Sequence, residues 1–276
     1  MLKISVMNVE DTAFAIEMTD LEKWGNVAAD FHRLIHFDPD GCFVARKNGR
    51  RVGMITSTSY DDFAFLGSLI VRQEERGHGI GEALMKHAIN HLQSKRIRTI
   101  ELDGVFEAVP FYRRLGFKDK YLSLRFRKPS GSSGERPQPC PIGMAHEIIS
   151  FDKKMTGLKR DRMIKRFFDE TSDTIFAIKG KSISAYAIVK PSAGTFCSIA
   201  PVVASKDRDA KILLESIVSG FGSVDLGIGV PAVNGQTVSF LTRNGFDYNQ
   251  PSLRMYLGHR RDYEKHVYAI FSPEKG

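Results

Sequence analysis

The stretch that decides the fold is Arg76-Gly77-His78-Gly79-Ile80-Gly81, which stands between a strand pattern and a helical pattern. Residues 63–72, FAFLGSLIVR, predict an apolar strand, and residues 80–95, IGEALMKHAINHLQSK, carry apolar side chains at helical spacing. Glycines at such a turn let consecutive backbone N–H groups converge on an anion, and the helix start adds a favourable dipole. The sequence therefore predicts a pyrophosphate-binding loop.

Two other classes of phosphate loop fit this stretch poorly. It lacks the Gly-Lys-Ser/Thr ending of a P-loop, and glycines 77, 79 and 81 do not match the Gly-x-Gly-x-x-Gly spacing of dinucleotide-binding proteins. The N-terminus also lacks the βαβ start that dinucleotide-binding folds require. The element order thus disfavours nucleoside triphosphates and dinucleotides as ligands.

The rest of the first half predicts a mixed α/β (α+β) domain. A strand at the N-terminus precedes two helices, at 13–23 and 27–35, and Asn48-Gly49 predicts a tight hairpin turn. The loop strand and its helix follow, then a strand, a short helix and a final strand pair over 117–128. The resulting order, β-α-α-β-β-β-α-β-α-β, is typical of a mixed central sheet with helices on both faces.

The second half repeats this order without close sequence identity, which indicates two tandem copies of one fold. We expect a helix over 150–169, a hairpin about Gly180-Lys181 and a closing strand pair over 246–258. A stretch rich in Pro, Gly and Ser separates the halves and reads as a linker. The predicted organisation is a domain at 1–128, a linker at 129–141 and a second domain at 142–276.

Bulk composition narrows the function classes. No apolar run is long enough to cross a bilayer, and charge comes too early for a secretory signal, so we expect an intracellular, cytoplasmic protein. The three cysteines, Cys42, Cys140 and Cys197, have no His or Cys neighbours at metal-ligand spacing, so we expect no metal. The net charge of +8 is spread along the chain, which suits a polyanionic cofactor as well as nucleic acid.

A second motif lies about thirty residues downstream of the loop. Residues 108–117, AVPFYRRLGF, end in Tyr-x-x-x-Gly-Phe, and with the Arg-x-x-Gly-x-Gly loop they resemble the two signatures of the GCN5-related N-acetyltransferase (GNAT) superfamily. The resemblance implies acetyl-CoA as co-substrate, held at splayed strands. The implied cofactor-binding residues are Leu69, Ile70, Val71, Arg76, Gly77, His78, Gly79, Ile80, Gly81 and Tyr112.

The same resemblance implies the reaction and its catalytic groups. Tyr112 is implied as the general acid that protonates the departing thiolate, and a backbone N–H near Leu69 or Ile70 would polarise the thioester carbonyl. The family often has an asparagine seven residues before the tyrosine, where this chain has Val105. As the base that deprotonates the amine, we predict Asp103 first and Glu101 second, with Asp61 and Asp62 as further candidates.

The second copy is predicted to lack coenzyme A. Alignment on Asn244-Gly245-Phe246 places Leu241 at the position of Tyr112, and residues 204–209, ASKDRD, have no glycines and two acids that would repel a pyrophosphate. Further matching positions are spread over the chain: Trp24, 38–41, 76–81, 102–104, Asn234, 245–246 and 254–258. On these residues nearly the whole chain is similar to the YitH/HolE-type tandem acetyltransferases, which implies an active first domain beside an empty second one. Tyr186, Asn234 and Arg254 are candidates for the acceptor pocket.

These observations predict an N-acetyltransferase acting on a primary amine of a small metabolite or amino-acid-like compound by direct attack. A protein or peptide acceptor remains the alternative within the class, and a non-catalytic acyl-CoA sensor is the alternative outside it. A third alternative, a nucleic-acid-binding module, is supported by the net charge alone. We expect a small-molecule partner, no nucleic acid or membrane partner, and a monomer or homodimer.

Overall fold

The first half of the chain folds in the predicted element order. A computed structural model describes residues 1–192 and 194–276. Its first-half elements are β1 (Leu2–Val6), α1 (Thr12–Leu21), α2 (Ala28–Phe37), β2 (Phe43–Lys47), β3 (Arg50–Tyr60), β4 (Phe63–Val71), α3 (Ile80–Ser94), β5 (Thr99–Gly104), α4 (Val109–Arg114) and β6 (Lys118–Lys128).

The second half follows the same plan. Its elements are α5 (Ala145–Thr156), α6 (Asp161–Thr171), β7 (Ile175–Lys179), β8 (Ile183–Pro191), β9 (Phe196–Ala204), α7 (Asp207–Gly220), β10 (Asp225–Pro231), α8 (Gly235–Arg243), β11 (Asp247–Gly258) and β12 (Val267–Ala269). Together with the first half they form a mixed α/β protein, which confirms the predicted fold class.

Three local predictions were wrong. The segments 117–128 and 246–258, each expected as a strand pair, are the single strands β6 and β11. Residues 150–169, expected as one helix, are divided between α5 and α6 because Gly157 ends α5 in the left-handed conformation, with φ +69°. Glycine tolerates this conformation at little cost, so the chain turns there.

The structure divides into two compact units that do not coincide with the sequence halves. The first contains Met1–Leu102, Tyr256–Arg260 and Glu274–Gly276, and the second contains Asp103–Met255 and Arg261–Pro273. The expected linker at 129–141 has neither helix nor strand, yet the division falls at Leu102 instead. The chief reason is β6, which pairs with β10 in the second unit.

The first unit is a sheet covered by helices on both faces. Its strands lie in the order β1-β2-β3-β4-β5, antiparallel except for β4 and β5, which are parallel. On β3, Met54 packs in a cluster with side chains of α1 and α2. A Cβ at the adjacent Gly53 would lie 3.2 Å from Leu84 of α3. Because neighbouring strand residues face opposite sides, α3 covers the other face.

The second unit has a hydrophobic core of its own. Its strands follow the order β11-β6-β10-β9-β8-β7, with β12 beside β9. The core is built from side chains of β8, β9 and β10 that pack on α7 and α8. Within the described ranges, no helix is both long enough and apolar enough to span a membrane.

Candidate active site

The glycine loop leads directly into α3. A short 3-10 turn, Gln73–Glu75, follows β4, and Gly77 and Gly79 then take left-handed conformations with φ +80° and +77°. Gly79 caps α3, so the loop ends where the first backbone N–H groups of the helix lack intrahelical partners. Left-handed φ values favour glycine, which explains why the sequence places glycines at both positions.

The loop surface is open. A Cβ built on Gly77 or Gly79 meets no atom within 4 Å, and residues 76–79 are exposed while Ile80 is buried. The exposed glycine backbone at the start of a 15-residue helix is therefore accessible to an anion. His78 is exposed too, with its Nδ1 3.3 Å from the Glu75 carbonyl oxygen.

Arg76 braces the loop. Its Nε donates to the carbonyl oxygen of Val71, at 2.9 Å, and its Nη2 donates to the carboxylate of Glu22, at 2.5 Å. These contacts tie the guanidinium to the end of β4 and to the residue that follows α1. Arg76 thus holds the loop against the strand, in addition to contributing positive charge at its edge.

A β-bulge interrupts β4 just before the predicted cofactor strand. The β3–β4 register pairs Met54 with Ile70 and Thr56 with Gly67, so two residues of β4 lie opposite one residue of β3. One of them, Ser68, has φ +49°. A bulge disrupts the ladder locally and leaves the extra residue unpaired. The bulge therefore lies next to Leu69, one of the two residues near which the carbonyl-polarising backbone N–H was predicted.

The strands β4 and β5 pair only over their first residues. Their parallel register joins Phe63, Ala64 and Phe65 to Thr99, Ile100 and Glu101, whereas β4 continues to Val71. Beyond Phe65 the two strands follow separate courses. In the first unit, the end of this pairing, the bulge and the glycine loop therefore follow one another, in that order, along a single stretch of chain.

Tyr112 lies on α4, in the second unit. Its side chain is about nine-tenths buried, and its ring packs edge-on against Phe117 at a centroid distance of 6.1 Å. Burial raises the pKa of Tyr112 to about 12. The phenol therefore remains protonated at neutral pH and is available as a hydrogen-bond donor.

Asp103, the first predicted base, is enclosed in a buried ion-pair network. Its carboxylate accepts hydrogen bonds from Arg254 at 2.8 and 3.2 Å and from Arg125 at 2.7 Å. Burial alone would raise the pKa of Asp103, but the two guanidinium groups hold it below its usual value. A carboxylate that is so strongly stabilised in its charged form is a weak proton acceptor, so the geometry favours a structural role over the predicted catalytic one.

Glu101 occupies a different environment. Its side chain is fully buried in the first unit, and its register with Phe65 places both side chains on the same face of the sheet. The remaining candidates, Asp61 and Asp62, lie in the β3–β4 turn, on the order of 20 Å along the strand from the bulge at ~3.3 Å per residue. Glu101 is in register with Phe65, three residues before Ser68, so it lies nearer to the bulge along the strand than Asp61 or Asp62.

The three candidate pocket residues of the second half make internal hydrogen bonds. Tyr186 donates to Asp152 at 2.6 Å, and Asn234 donates to the carbonyl oxygens of Glu264 and Val267. Arg254 makes the ion pair with Asp103. These partners give all three side chains structural roles in the second unit.

An acidic cluster beside α3 has its own cation. Asp38, Asp40 and His91 bring potential ligand atoms within 4.8 Å of one another. The Lys95 ammonium lies 3.1 Å from Asp38 and 2.5 Å from Asp40. Burial lowers the pKa of Lys95, but its hydrogen bonds to both carboxylates raise it above its usual value overall. An ammonium group thus fills the position that a metal would require.

A cavity of about 380 Å³ lies beside the β2–β3 turn in the first unit. Its three arginines are neutralised by carboxylates, because Arg50, Arg51 and Arg72 pair with Glu74, Asp11 and Glu17. The glycine loop does not line this cavity. Compensated charge makes it a weaker anion site than the open start of α3.

Two features of the first unit escaped the sequence analysis. Thr56 and Thr58 are buried on β3 with hydroxyl oxygens that have no hydrogen-bond partner in the described part of the chain. The segment Glu274–Gly276 packs on the same strands. Alternation in GMITSTSY indicated a strand but could not reveal that its threonines are buried.

Comparison with protein-family models gives one match in each half. Residues 10–117 match the model described as "Acetyltransferase (GNAT) family", and residues 148–269 match the one described as "Acetyltransferase (GNAT) domain". The first match ends at Phe117, so it includes both the glycine loop and the tyrosine segment.

One of two curated relatives matches nearly the whole chain, and the other matches about a third of it. Holothin acyltransferase from Pseudoalteromonas sp. (strain SANK 73390) is 25% identical over 98% of this chain and 92% of that protein. An uncharacterized N-acetyltransferase from Methanocaldococcus jannaschii is 35% identical over 33% of this chain and 44% of that protein.

Solved structures share the architecture. A Pyrococcus horikoshii protein classed as an acetyltransferase superposes with a TM-score of 0.83, at 20% identity, over 100% of this chain and 96% of that chain. A tandem GNAT protein from the clavulanic acid biosynthesis pathway gives a TM-score of 0.63, at 14% identity, over 95% of this chain and 100% of that chain. At these identities the likeness concerns the fold alone.

Proposed function

This chain belongs to the GNAT family of acetyltransferases, and on that premise we propose that it transfers an acetyl group from acetyl-CoA to a primary amine of a small, amino-acid-like compound. The observation that carries the proposal is the bulge in β4 followed by an open glycine loop at the start of α3. A bulge frees backbone donors, and a helix start binds a pyrophosphate.

The chain's residues fit acetyl-CoA. Backbone N–H groups from Gly77 to Gly81 would hold the pyrophosphate, because the loop is exposed and a Cβ at Gly77 or Gly79 finds only open space. The strand from Leu69 to Val71 would hold the amide-bearing arm. When bound, this co-substrate supplies an activated acyl thioester and a thiolate leaving group.

The protein's part is to polarise the carbonyl, accept a proton from the amine and stabilise the departing thiolate. A backbone N–H at the bulge, near Leu69, would donate to the carbonyl oxygen as negative charge develops there. Glu101 would accept the proton that the attacking ammonium must lose. Tyr112 would donate a hydrogen bond to the departing sulfur. With its pKa near 12, the phenol stabilises a thiolate of ordinary pKa, about 8.5, by hydrogen bonding more readily than by complete proton transfer.

The partners follow from this chemistry. We infer a small-molecule amine as acceptor, with no nucleic acid or membrane partner, and a monomer or homodimer as the active form. A relative that matches over nearly the whole chain is named a holothin acyltransferase, and this name supports acyl transfer as the reaction.

Acetyl-CoA turnover by the purified chain tests the function. Amino acids, amino-acid amides, polyamines and lysine peptides would be offered as acceptors, with release of free thiol as the signal and calorimetry for cofactor binding. We expect tight cofactor binding and turnover with one class of amine. Binding without turnover on any amine would favour an acyl-CoA sensor, and absence of binding would overturn the assignment of the glycine loop.

A further inference from the structure

The segment Glu274–Gly276 packs directly on β4 in the first unit. A Cβ built on Gly67 would lie 2.2 Å from Cβ of Glu274 and 2.7 Å from its Cα. A Cβ on Gly276 would lie 1.9 Å from the Phe65 ring. Both contacts need a glycine, and all three residues of the segment are buried. The segment is therefore seated in a fitted groove on the strand.

Polar contacts fix the same segment. The Tyr60 hydroxyl donates to the carbonyl oxygen of Lys275 at 3.0 Å. The Lys275 ammonium, which is 4% exposed, lies 2.9 Å from the carboxylate of Glu274. A buried ammonium thus enters the groove together with its own counter-ion, as burial of a charge requires.

The floor of the groove contains unused hydrogen-bonding groups. Thr56 lies opposite Gly67 in the β3–β4 register, and Thr58 lies opposite Phe65, so all four residues share one face. Both threonine hydroxyls are buried and, among the described residues, have no hydrogen-bond partner. Leaving a buried hydroxyl unsatisfied costs about 1–3 kcal/mol. A polar ligand that supplied partners would remove that cost.

The groove also adjoins the proposed chemistry. Glu101 shares its face through the register with Phe65, and Gly67 directly precedes the bulge at Ser68. A ligand lying on Gly67 would therefore have the bulge, with its proposed carbonyl-polarising N–H, towards one end. It would have Glu101, the proposed base, towards the other end.

We propose that this groove is the acceptor-amine subsite and that Glu274–Gly276 is an internal occupant that competes with the acceptor. The proposal rests on the proposed function and specifies its substrate class. The occupant presents a carbonyl to Tyr60 and an ammonium with a carboxylate beside it. The matching acceptor is an aminoacyl compound, in which a primary amine and a carbonyl belong to one short chain.

Binding of the segment's own peptide tests occupancy without any turnover. The probe is fluorescein-labelled Ser-Pro-Glu-Lys-Gly, the sequence of residues 272–276, titrated by fluorescence anisotropy. Gly276→Val expels the segment by clash with Phe65 and leaves the groove intact. We expect saturable binding by this variant, at least tenfold tighter than by the unmodified chain. Equal or absent binding in both proteins would overturn the proposal.

Matched variants control for side effects. Gly157→Val places the same side chain at another left-handed glycine, φ +69°, with no atom within 4 Å of its Cβ, and should bind the probe like the unmodified chain. A variant ending at Pro273 should reproduce Gly276→Val. Adding Thr56→Val and Thr58→Val to it should leave probe affinity nearly unchanged, because among the described residues the seated segment makes no hydrogen bond to either hydroxyl. The same pair of changes should raise the KM of the aminoacyl acceptor severalfold, and an unchanged KM would contradict the assigned floor. Circular dichroism checks folding.

Steady-state kinetics then separates this proposal from the proposed function. In Gly276→Val, we expect the acceptor KM to fall severalfold with kcat within about twofold, and the peptide to inhibit competitively against the amine. Turnover with an unchanged KM, or inhibition that is not competitive with the amine, would contradict the proposed subsite. Neither result would contradict the proposed acetyltransferase activity. Absence of turnover by the unmodified chain, with intact probe binding, would instead count against the function.

Discussion

At the scale of single residues, two guanidinium partners distinguish Asp103 from the other groups that the sequence could only nominate together. Asp103 and Glu101 lie two positions apart on β5, and both were candidate bases. Asp103 is held by two guanidinium groups, whereas Glu101 faces the groove beside Phe65. The partner Arg254 lies 151 residues away in the chain, so local sequence patterns gave no sign of the ion pair.

Exchange of the two carboxylates for amides distinguishes their roles. We expect Glu101→Gln to lower kcat by about 10²-fold or more, because an amide cannot accept the proton of the amine. Asp103→Asn should cost about 3–5 kcal/mol of stability, because it leaves buried arginine charge uncompensated. Urea denaturation and initial rates measure both effects.

Asp119→Asn is the matched control, since Asp119 pairs with Arg113 on the surface, where solvent screening leaves an ion pair with little effect on stability. The pKa of Asp103 is lowered in the folded protein. Its contribution to stability is therefore present above the unfolded value of 3.8 and is lost as pH falls below it. An Asp103→Asn enzyme that is stable yet inactive would restore Asp103 as the base.

Tyr112→Phe tests the hydrogen bond to the leaving sulfur. We expect unchanged cofactor affinity by calorimetry and a kcat lower by about 10²-fold. Because burial raises the pKa of Tyr112 from 10.0 to about 12, its protonated form persists through alkaline pH. The unmodified enzyme should therefore show no loss of rate from Tyr112 ionisation below about pH 10. A fully active phenylalanine variant would remove the tyrosine from the mechanism.

At the scale of elements, the sequence predicted what local chemistry determines. Asn48 and Gly49 have φ +51° and +83°, as the predicted hairpin requires, and the glycine loop begins α3 where expected. The partners of the strands were not predicted, because strand pairing joins residues that are far apart in the chain. The single strand β6 pairs with β10 about a hundred residues later, and its alternating pattern carried no information on that partner.

The glycine loop gives a test with a close control. Gly79→Glu puts a side chain at φ +77° and a negative charge at the start of α3, so we expect loss of acetyl-CoA binding in calorimetry. Gly49→Glu imposes the same change at φ +83°, also with no atom within 4 Å of its Cβ, in the β2–β3 turn. It should retain binding. Similar losses in both variants would show that strain alone, and not the loop, explains the effect.

The bulge in β4 depends on a left-handed Ser68, with φ +49°. For an L-residue this conformation costs roughly 1–2 kcal/mol. Ser68→Gly should relieve the strain, keep kcat and raise the thermal midpoint slightly. Ser68→Val should favour a regular strand, and we expect kcat to fall by up to about 10²-fold as the freed donor is lost. Equal rates in the two variants would separate catalysis from the bulge.

At the scale of the whole molecule, the two compact units do not contain the same residues as the two sequence halves. Sequence repetition predicted two copies of one fold, and the two family models match those halves. Contacts instead assign Tyr256–Arg260 and Glu274–Gly276 to the first unit. In that unit, the Thr99 hydroxyl donates to the His259 carbonyl oxygen at 2.7 Å, which shows what the late segments contribute. Packing of late segments into the first unit leaves no local signal in a sequence.

A fragment of residues 1–128 is therefore expected not to fold by itself. It would lack the residues near His259 and Lys275 that complete the first unit, and its β6 would lose the register that joins Ser123–Lys128 to β10. An unpaired strand with exposed backbone groups favours aggregation. We expect a non-cooperative thermal transition and poorly dispersed amide resonances for this fragment.

Co-expression with residues 129–276 is the control. It restores every missing strand partner without restoring the covalent link, so it should recover a cooperative transition and acetyl-CoA binding. A fragment 1–128 that melts cooperatively and binds acetyl-CoA alone would show that the late segments are dispensable. The sequence halves, not the contact-defined units, would then be the folding units of the chain.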